Sequence, residues 1–181
     1  VLNNYFLSED QIRSLGIKCG KNCKIHASTL ISHPKKLILK SNVRIDALTI
    51  IINPNFVRID NTVHISQQNL IYANNGEIKF KNYSGTSAGV KIYTSADDYS
   101  GRSFYGPFNN KISKKENVTI SKFCIIGANS VILPNAKFEE GATIGALSLV
   151  NEKLKKWTIY SGNPLKLVMK RSQNVKKYVP K

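Results

Sequence analysis

Residues 120–150 read, in groups of six, ISKFCI, IGANSV, ILPNAK, FEEGAT, IGALSL and a final V. The first place of each group is apolar and bulky: Ile120, Ile126, Ile132, Phe138, Ile144 and Val150. The fifth place is small: Cys124, Ser130, Ala136, Ala142 and Ser148. Neither a helix, with a period of about 3.6 residues, nor a simple strand, with a period of about two, carries such a pattern. A period of six fits a short strand plus a corner. Three such sides close a triangular coil of about 18 residues, and coils stack at the strand spacing of about 4.8 Å. The bulky place then points into the prism, and the small one sits where the wall crowds at a corner.

The lattice extends upstream in triplets: Cys19, Ile25 and Ile31; Leu39, Ile45 and Ile51; Ile59, Ile65 and Ile71; Ile78, Ser84 and Val90. Ser84 is the weak member. From one triplet to the next the step is eight, eight, seven, thirty and six residues, so every irregularity falls at one corner of the triangle. The thirty-residue step marks an inserted loop, residues 96–119, which carries Asp97, Asp98, Tyr99, Arg102, Tyr105 and Pro107. A long loop in a compact fold is a functional candidate. Ser8-Glu9-Asp10-Gln11 reads as a capping box, with Gly16 ending a helix. Asn163-Pro164 reads as the start of a second helix, over Leu165 to Arg171, that closes the far end. The expected organisation is an N-terminal cap helix over residues 1–18, a β-helix over 19–152 and a basic segment with a cap helix over 153–181. The expected fold is thus an all-β solenoid, a parallel β-helix of about six coils with short terminal helices and one inserted loop.

The charge is strongly basic: 27 Lys and Arg against 11 Asp and Glu, net +16. From Lys153 to Lys181 there are nine basic residues and no acidic one. Such a block attracts polyanions, among them phosphorylated cofactors. No helix-turn-helix, RNA-recognition signature or aromatic-basic interleaving is present, so nucleic acid is not the expected partner. The three cysteines, Cys19, Cys23 and Cys124, include no CxxC pair and read as small core residues. No stretch has the length of a membrane span, and no signal-peptide pattern opens the sequence. The expectation is a cytoplasmic protein without membrane insertion.

The segment Ile125 to Pro134, the later Ile144 to Val150 and Ser161-Gly162-Asn163-Pro164-Leu165-Lys166 resemble motifs of the left-handed parallel β-helix acyltransferases. Asn82-Tyr83-Ser84-Gly85 and Ile92 to Gly101 are similar to a subgroup of sugar acetyltransferases of surface-polysaccharide pathways. That subgroup includes galactoside acetyltransferases and N-acetyltransferases of nucleotide-linked 4-amino-deoxysugars. The resemblance implies a left-handed coil, acetyl-CoA as co-substrate without a metal, and a homotrimer with active sites between subunits. It implies that Gly127, Ala128, Gly145 and Ala146 line the pantetheine arm, with Lys166 and Arg171 on the coenzyme phosphates. It places the acceptor against Asp46, Ser84 and Tyr99.

Many relatives use a histidine near the end of the coil before the loop. Here that neighbourhood reads Thr94-Ser95-Ala96-Asp97-Asp98 and holds none. His26 and His33 lie in the first coil and read as surface residues. His64, in a Val63-His64-Ile65 segment similar to one in related aminosugar acetyltransferases, is the best base candidate, with Asp97 and Asp98 as further acceptors of a proton. A missing base favours an amine acceptor. A sugar amine has a pKa nearer that of an α-amino group, about 7.7–8.0, so a neutral fraction exists to attack the thioester directly. The expected reaction is N-acetylation of a nucleotide-linked 4-amino-4,6-dideoxysugar for O-antigen or capsule. Three alternatives stay open at this point: O-acetylation of a sugar on the same fold, a three-histidine zinc site of the γ-carbonic-anhydrase type, and a non-catalytic scaffold or nucleic-acid protein.

Overall fold

The computed structural model of the chain describes residues 5–97, 100 and 113–179. Among them the strands form three long parallel stacks, the walls of a triangular prism, plus a two-stranded ribbon. The coil is left-handed, as the resemblance implies. On the first wall Cys19, Leu39, Ile59, Phe80, Ile120, Phe138 and Leu154 stack in register. On the second wall the inward ladder is Ile25, Ile45, Ile65, Thr86, Ile126, Ile144 and Tyr160. On the third it is Ile31, Ile51, Ile71, Ile92, Ile132 and Val150. Nearly all of these side chains are buried, so one narrow core runs the length of the prism.

Five of the six triplets read from the sequence stack as expected. The fourth is displaced by two residues: its ladder members are Phe80, Thr86 and Ile92 instead of Ile78, Ser84 and Val90. Ser84 and Val90 are buried corner residues, four places after Phe80 and Thr86. The steps between triplets become eight, eight, nine, twenty-eight and six, and still fall at one corner, between the third wall and the first. The displacement traces to Thr86, which occupies a place held elsewhere on its wall by Ile or Tyr. Its Oγ1 is buried and finds no hydrogen-bond partner among the described residues. Thr86→Val keeps the shape and removes an unmatched hydroxyl. It is expected to stabilise the protein by about 1 kcal/mol, read as a rise in Tm.

The other two corners are tight turns in the left-handed backbone region. One carries Asn22, Asn42, Thr62, Tyr83, Phe123, Gly141 and Trp157, all at positive φ. Tyr83 stacks on Phe123 with ring centroids 5.3 Å apart, and Phe123 meets Trp157 at 5.7 Å. Gly141 lies in the same column, where a Cβ would stand 2.5 Å from the Trp157 ring, so the indole takes the space glycine leaves. Cys124, below this corner, is fully buried, and burial pushes its thiol up to about 12.

At the N-terminal end the capping box forms as read: Ser8 caps Glu9–Ser14, Gln11 reaches back, and Ile12 plugs the first coil. The other end differs. No helix forms over Leu165 to Arg171; the chain turns at Gly162 and Lys166–Lys170 runs back antiparallel to Thr158–Ser161. A strand prevails because the last coil presents an unpaired edge, which a strand satisfies and a helix would not. A short 3-10 turn, Asn174–Tyr178, follows. The stack also runs past residue 152, through Lys153–Leu154 and Thr158–Ser161. The inserted segment leaves the third-to-first corner as an antiparallel ribbon, Ser95–Asp97 with Ser113–Lys115.

The three walls differ in what they show outside. The first is charged, with Lys40 and Lys81 on Asp60, Arg58 and Lys79 on Glu77, and Lys153 on Glu139. The third is apolar. Leu30, Ile50 and Leu70 stand outward in register, followed by Lys91, Val131 and Leu149, while Tyr72 and Tyr93 pack together beside them. The second is described next.

Candidate active site

On the second wall the outward residues of successive coils are Lys24, Arg44, His64, Gly85, Ile125 and Thr143. Strand alternation turns them out because their neighbours Ile25, Ile45, Ile65, Thr86, Ile126 and Ile144 turn in. Asp46 follows Ile45 and reaches across to the next coil. Its Oδ2 is 2.7 Å from His64 Nε2, and its Oδ1 is 2.6 Å from Arg44 Nε. Arg44 in turn lies over the ring of Phe6, 5.0 Å from its centroid, so the N-terminal strand Phe6–Leu7 braces the group.

Asp46 is almost buried, whereas His64 is half exposed. Burial alone would raise the Asp46 pKa, but hydrogen bonds from Arg44 and His64 outweigh it and hold the carboxyl below the usual carboxylate value. A depressed folded-state pKa contributes stability fully present above the unfolded value of about 3.9 and lost as pH falls through the folded one. Asp46 is therefore an anion at neutral pH. An anionic carboxylate only accepts, so His64 Nε2 is the donor in this hydrogen bond and Nδ1 is the ring nitrogen left facing outward to a reacting group. A carboxylate-oriented imidazole of this kind can take a proton from a reacting group.

Further along the wall the surface flattens. Gly127 and Gly145 lie in register near the corner with the third wall, followed by Ala128 and Ala146. A Cβ on Gly127 would lie 2.4 Å from the Ala146 nitrogen, and one on Gly145 2.6 Å from Ser161 Oγ. Glycine is thus required here by the close approach of the coils. The same requirement leaves the corner without a side chain at Gly127 and Gly145, a strip against which an extended pantetheine arm can lie. Lys166 is exposed on the terminal strand. Arg171 is tied inward: its guanidinium donates to the carbonyls of Phe123 and Gly141, the latter at 2.9 Å, and sits beside Trp157.

Of the residues singled out in the sequence, the structure joins Asp46 to His64. Ser84 faces the interior and donates its hydroxyl to the Lys81 carbonyl at 2.7 Å. Asp97 ends the ribbon strand Ser95–Asp97 that leaves the third-to-first corner, and the structure does not join it to His64. Asp98 and Tyr99 lie outside the described residues, as do Arg102, Tyr105 and Pro107. His26 pairs with Ser28 and packs on Phe6, and His33 pairs with Ser32. Among the described residues no three His, Cys, Asp or Glu side chains converge. Sequence reading missed Arg44. The available signal was spacing: Lys24, Arg44 and His64 are each twenty residues apart, one coil of this part of the prism.

No family model matches the chain. A dTDP-4-amino-4,6-dideoxy-D-glucose acyltransferase of Escherichia coli is 32% identical over 177 residues, 94% of this chain and 91% of that protein. The chain belongs to the left-handed β-helix sugar acyltransferases. It is an acyltransferase whose co-substrate is an acyl-coenzyme A, and the family resemblance read from its motifs is borne out. Among solved structures it is similar to AntD, an N-acyltransferase of Bacillus cereus. A variant of AntD in complex with dTDP-4-amino-4,6-dideoxyglucose and coenzyme A superposes with a TM-score of 0.91 at 31% identity, over 97% of this chain and 95% of that one. AntD has also been solved with dTDP and 3-hydroxybutyryl-CoA, at the same TM-score and identity, over 96% of this chain and 94% of that one. A galactoside acetyltransferase in complex with coenzyme A shares the fold, with a TM-score of 0.54 at 16% identity, over 96% of this chain and 74% of that one.

Proposed function

We propose that this acyltransferase acetylates the 4-amino group of a dTDP-linked 4-amino-4,6-dideoxysugar, and that the product serves O-antigen or capsule assembly. The observation that carries this reading is the Arg44–Asp46–His64 group beside a flat corner, in a chain close over its whole length to an enzyme of that substrate. The neutral amine attacks the thioester carbonyl directly, and the nitrogen becomes positively charged as the bond forms. His64 Nδ1 takes the surplus proton, with Asp46 stabilising the imidazolium. Collapse releases the amide and the coenzyme thiolate, which takes a proton. The Gly127–Ala128 and Gly145–Ala146 corner holds the pantetheine arm, and Lys166 faces the coenzyme phosphates. Asp97, Asp98 and Tyr99 hold the acceptor from the inserted loop.

The site is read as shared between subunits: Asp97 stands on the ribbon at the third-to-first corner and His64 on the second wall, an arrangement that suits a site between neighbouring chains. The apolar third wall, where Leu30 is 54% and Ile50 41% exposed, supplies the contact for a closed trimer. No helix among the described residues is long and apolar enough to cross a membrane. The reduced cysteines suit the cytoplasm.

The test is incubation with acetyl-CoA and either dTDP-4-amino-4,6-dideoxyglucose or its 4-hydroxy counterpart, followed by thiol release and product mass. Amide formation on the amino sugar alone is expected. Acetylation of the hydroxyl sugar alone would assign the Asp46–His64 pair to O-acetyl transfer instead.

A further inference from the structure

Gly85 lies between His64 and Ile125 on the second wall. A Cβ on Gly85 would stand 2.7 Å from the His64 carbonyl oxygen, so the coils allow no side chain there. The outward row therefore has a slot one strand wide. The flanking residues lie two strand spacings apart, about 9–10 Å between their Cα atoms. One side of the slot is the imidazole backed by Asp46. The other is Ile125, an isoleucine 44% exposed to solvent on a row otherwise made of basic, small or half-buried residues. Core packing does not account for it, since Ile126 supplies the inward contact.

We infer that Ile125 is the residue that reads carbon 6 of the acceptor sugar, selecting a methyl over a hydroxymethyl group. This rests on the acceptor proposed above. In a 4-amino-4,6-dideoxyhexose the amine on C4 and the methyl on C5 are neighbouring substituents. A ring lying over Gly85 with its amine turned to His64 sets the methyl against Ile125. The dideoxy methyl loses water there and gains apolar contact. A 6-hydroxyl in the same place loses its water partners and meets only hydrocarbon.

The experiment compares kcat/KM for dTDP-4-amino-4,6-dideoxyglucose and dTDP-4-amino-4-deoxyglucose in wild type, Ile125→Val and Ile125→Thr. Wild type is expected to prefer the dideoxy sugar roughly 10- to 100-fold, the range an apolar pocket gives against an added hydroxyl. Ile125→Val keeps that preference. Ile125→Thr, which offers the 6-hydroxyl a partner, brings it to within about threefold. Equal discrimination by wild type and the Thr variant overturns the role of Ile125 while leaving the acceptor assignment standing. Turnover of neither sugar overturns the assignment and this inference with it.

Discussion

His64→Gln is expected to lower kcat by about 10²-fold, the low end of what a positioned base contributes. Gln fills a similar volume on an exposed strand position, so the fold is retained. The split between kcat and KM separates a base from a merely structural side chain: kcat and kcat/KM should fall together, with KM for the amino sugar unchanged, because the proton is taken only in the transition state. Asp46→Asn probes the orientation. It leaves the imidazole in place but no longer dictates which ring nitrogen bears the proton. The expected loss is smaller, about tenfold in kcat, with KM unchanged. A His64→Gln enzyme with unchanged kcat would mean that the proton leaves to water and that the pair is structural.

The core was legible because every inward position of a solenoid obeys the same rule, so six coils repeat one message. Where one residue breaks that rule the register slips: Thr86 in the bulky ladder made Ile78 and Ser84 look like ladder members. Handedness was not in the period, since a coil of either hand gives the same spacing. It came with the Ile125 to Pro134 and Ile144 to Val150 motifs. The terminal strand escapes local reading for a related reason. Asn163-Pro164 satisfies helix-start chemistry, while the need to pair the last coil's open edge is a tertiary condition that no local pattern carries. The site was harder still. Outward residues carry no periodic constraint, so His64 stands out only by resemblance, and the sequence offers Asp46 only as a sugar ligand. Adding the coil length of twenty residues to that reading places Arg44 beside His64 and leaves Asp46 one step away, within reach of both.

Ile50→Asp is expected to abolish activity altogether, though it touches none of the residues that handle substrate. Ile50 stands outward between Leu30 and Leu70 on the apolar wall. Its side chain is 41% exposed in the isolated chain, so an aspartate there keeps its water and the prism folds with unchanged circular dichroism. In the proposed trimer the same aspartate is desolvated against a neighbour's apolar wall, once per subunit. Each uncompensated burial costs several kcal/mol or more, on the order of what separates a stable interface from a dissociated one. Sedimentation should show monomers in place of trimers. Activity should vanish with the trimer, because the loop that carries Asp97 and the wall that carries His64 then never meet. Lys18→Asp, which places an aspartate outward on the charged wall and changes the charge by two units where Ile50→Asp changes it by one, should leave both assembly and turnover intact. A monomeric Ile50→Asp protein that still acetylates the aminosugar at the wild-type rate would place the whole site within one chain. The ribbon at the opposite corner would then have no part in it.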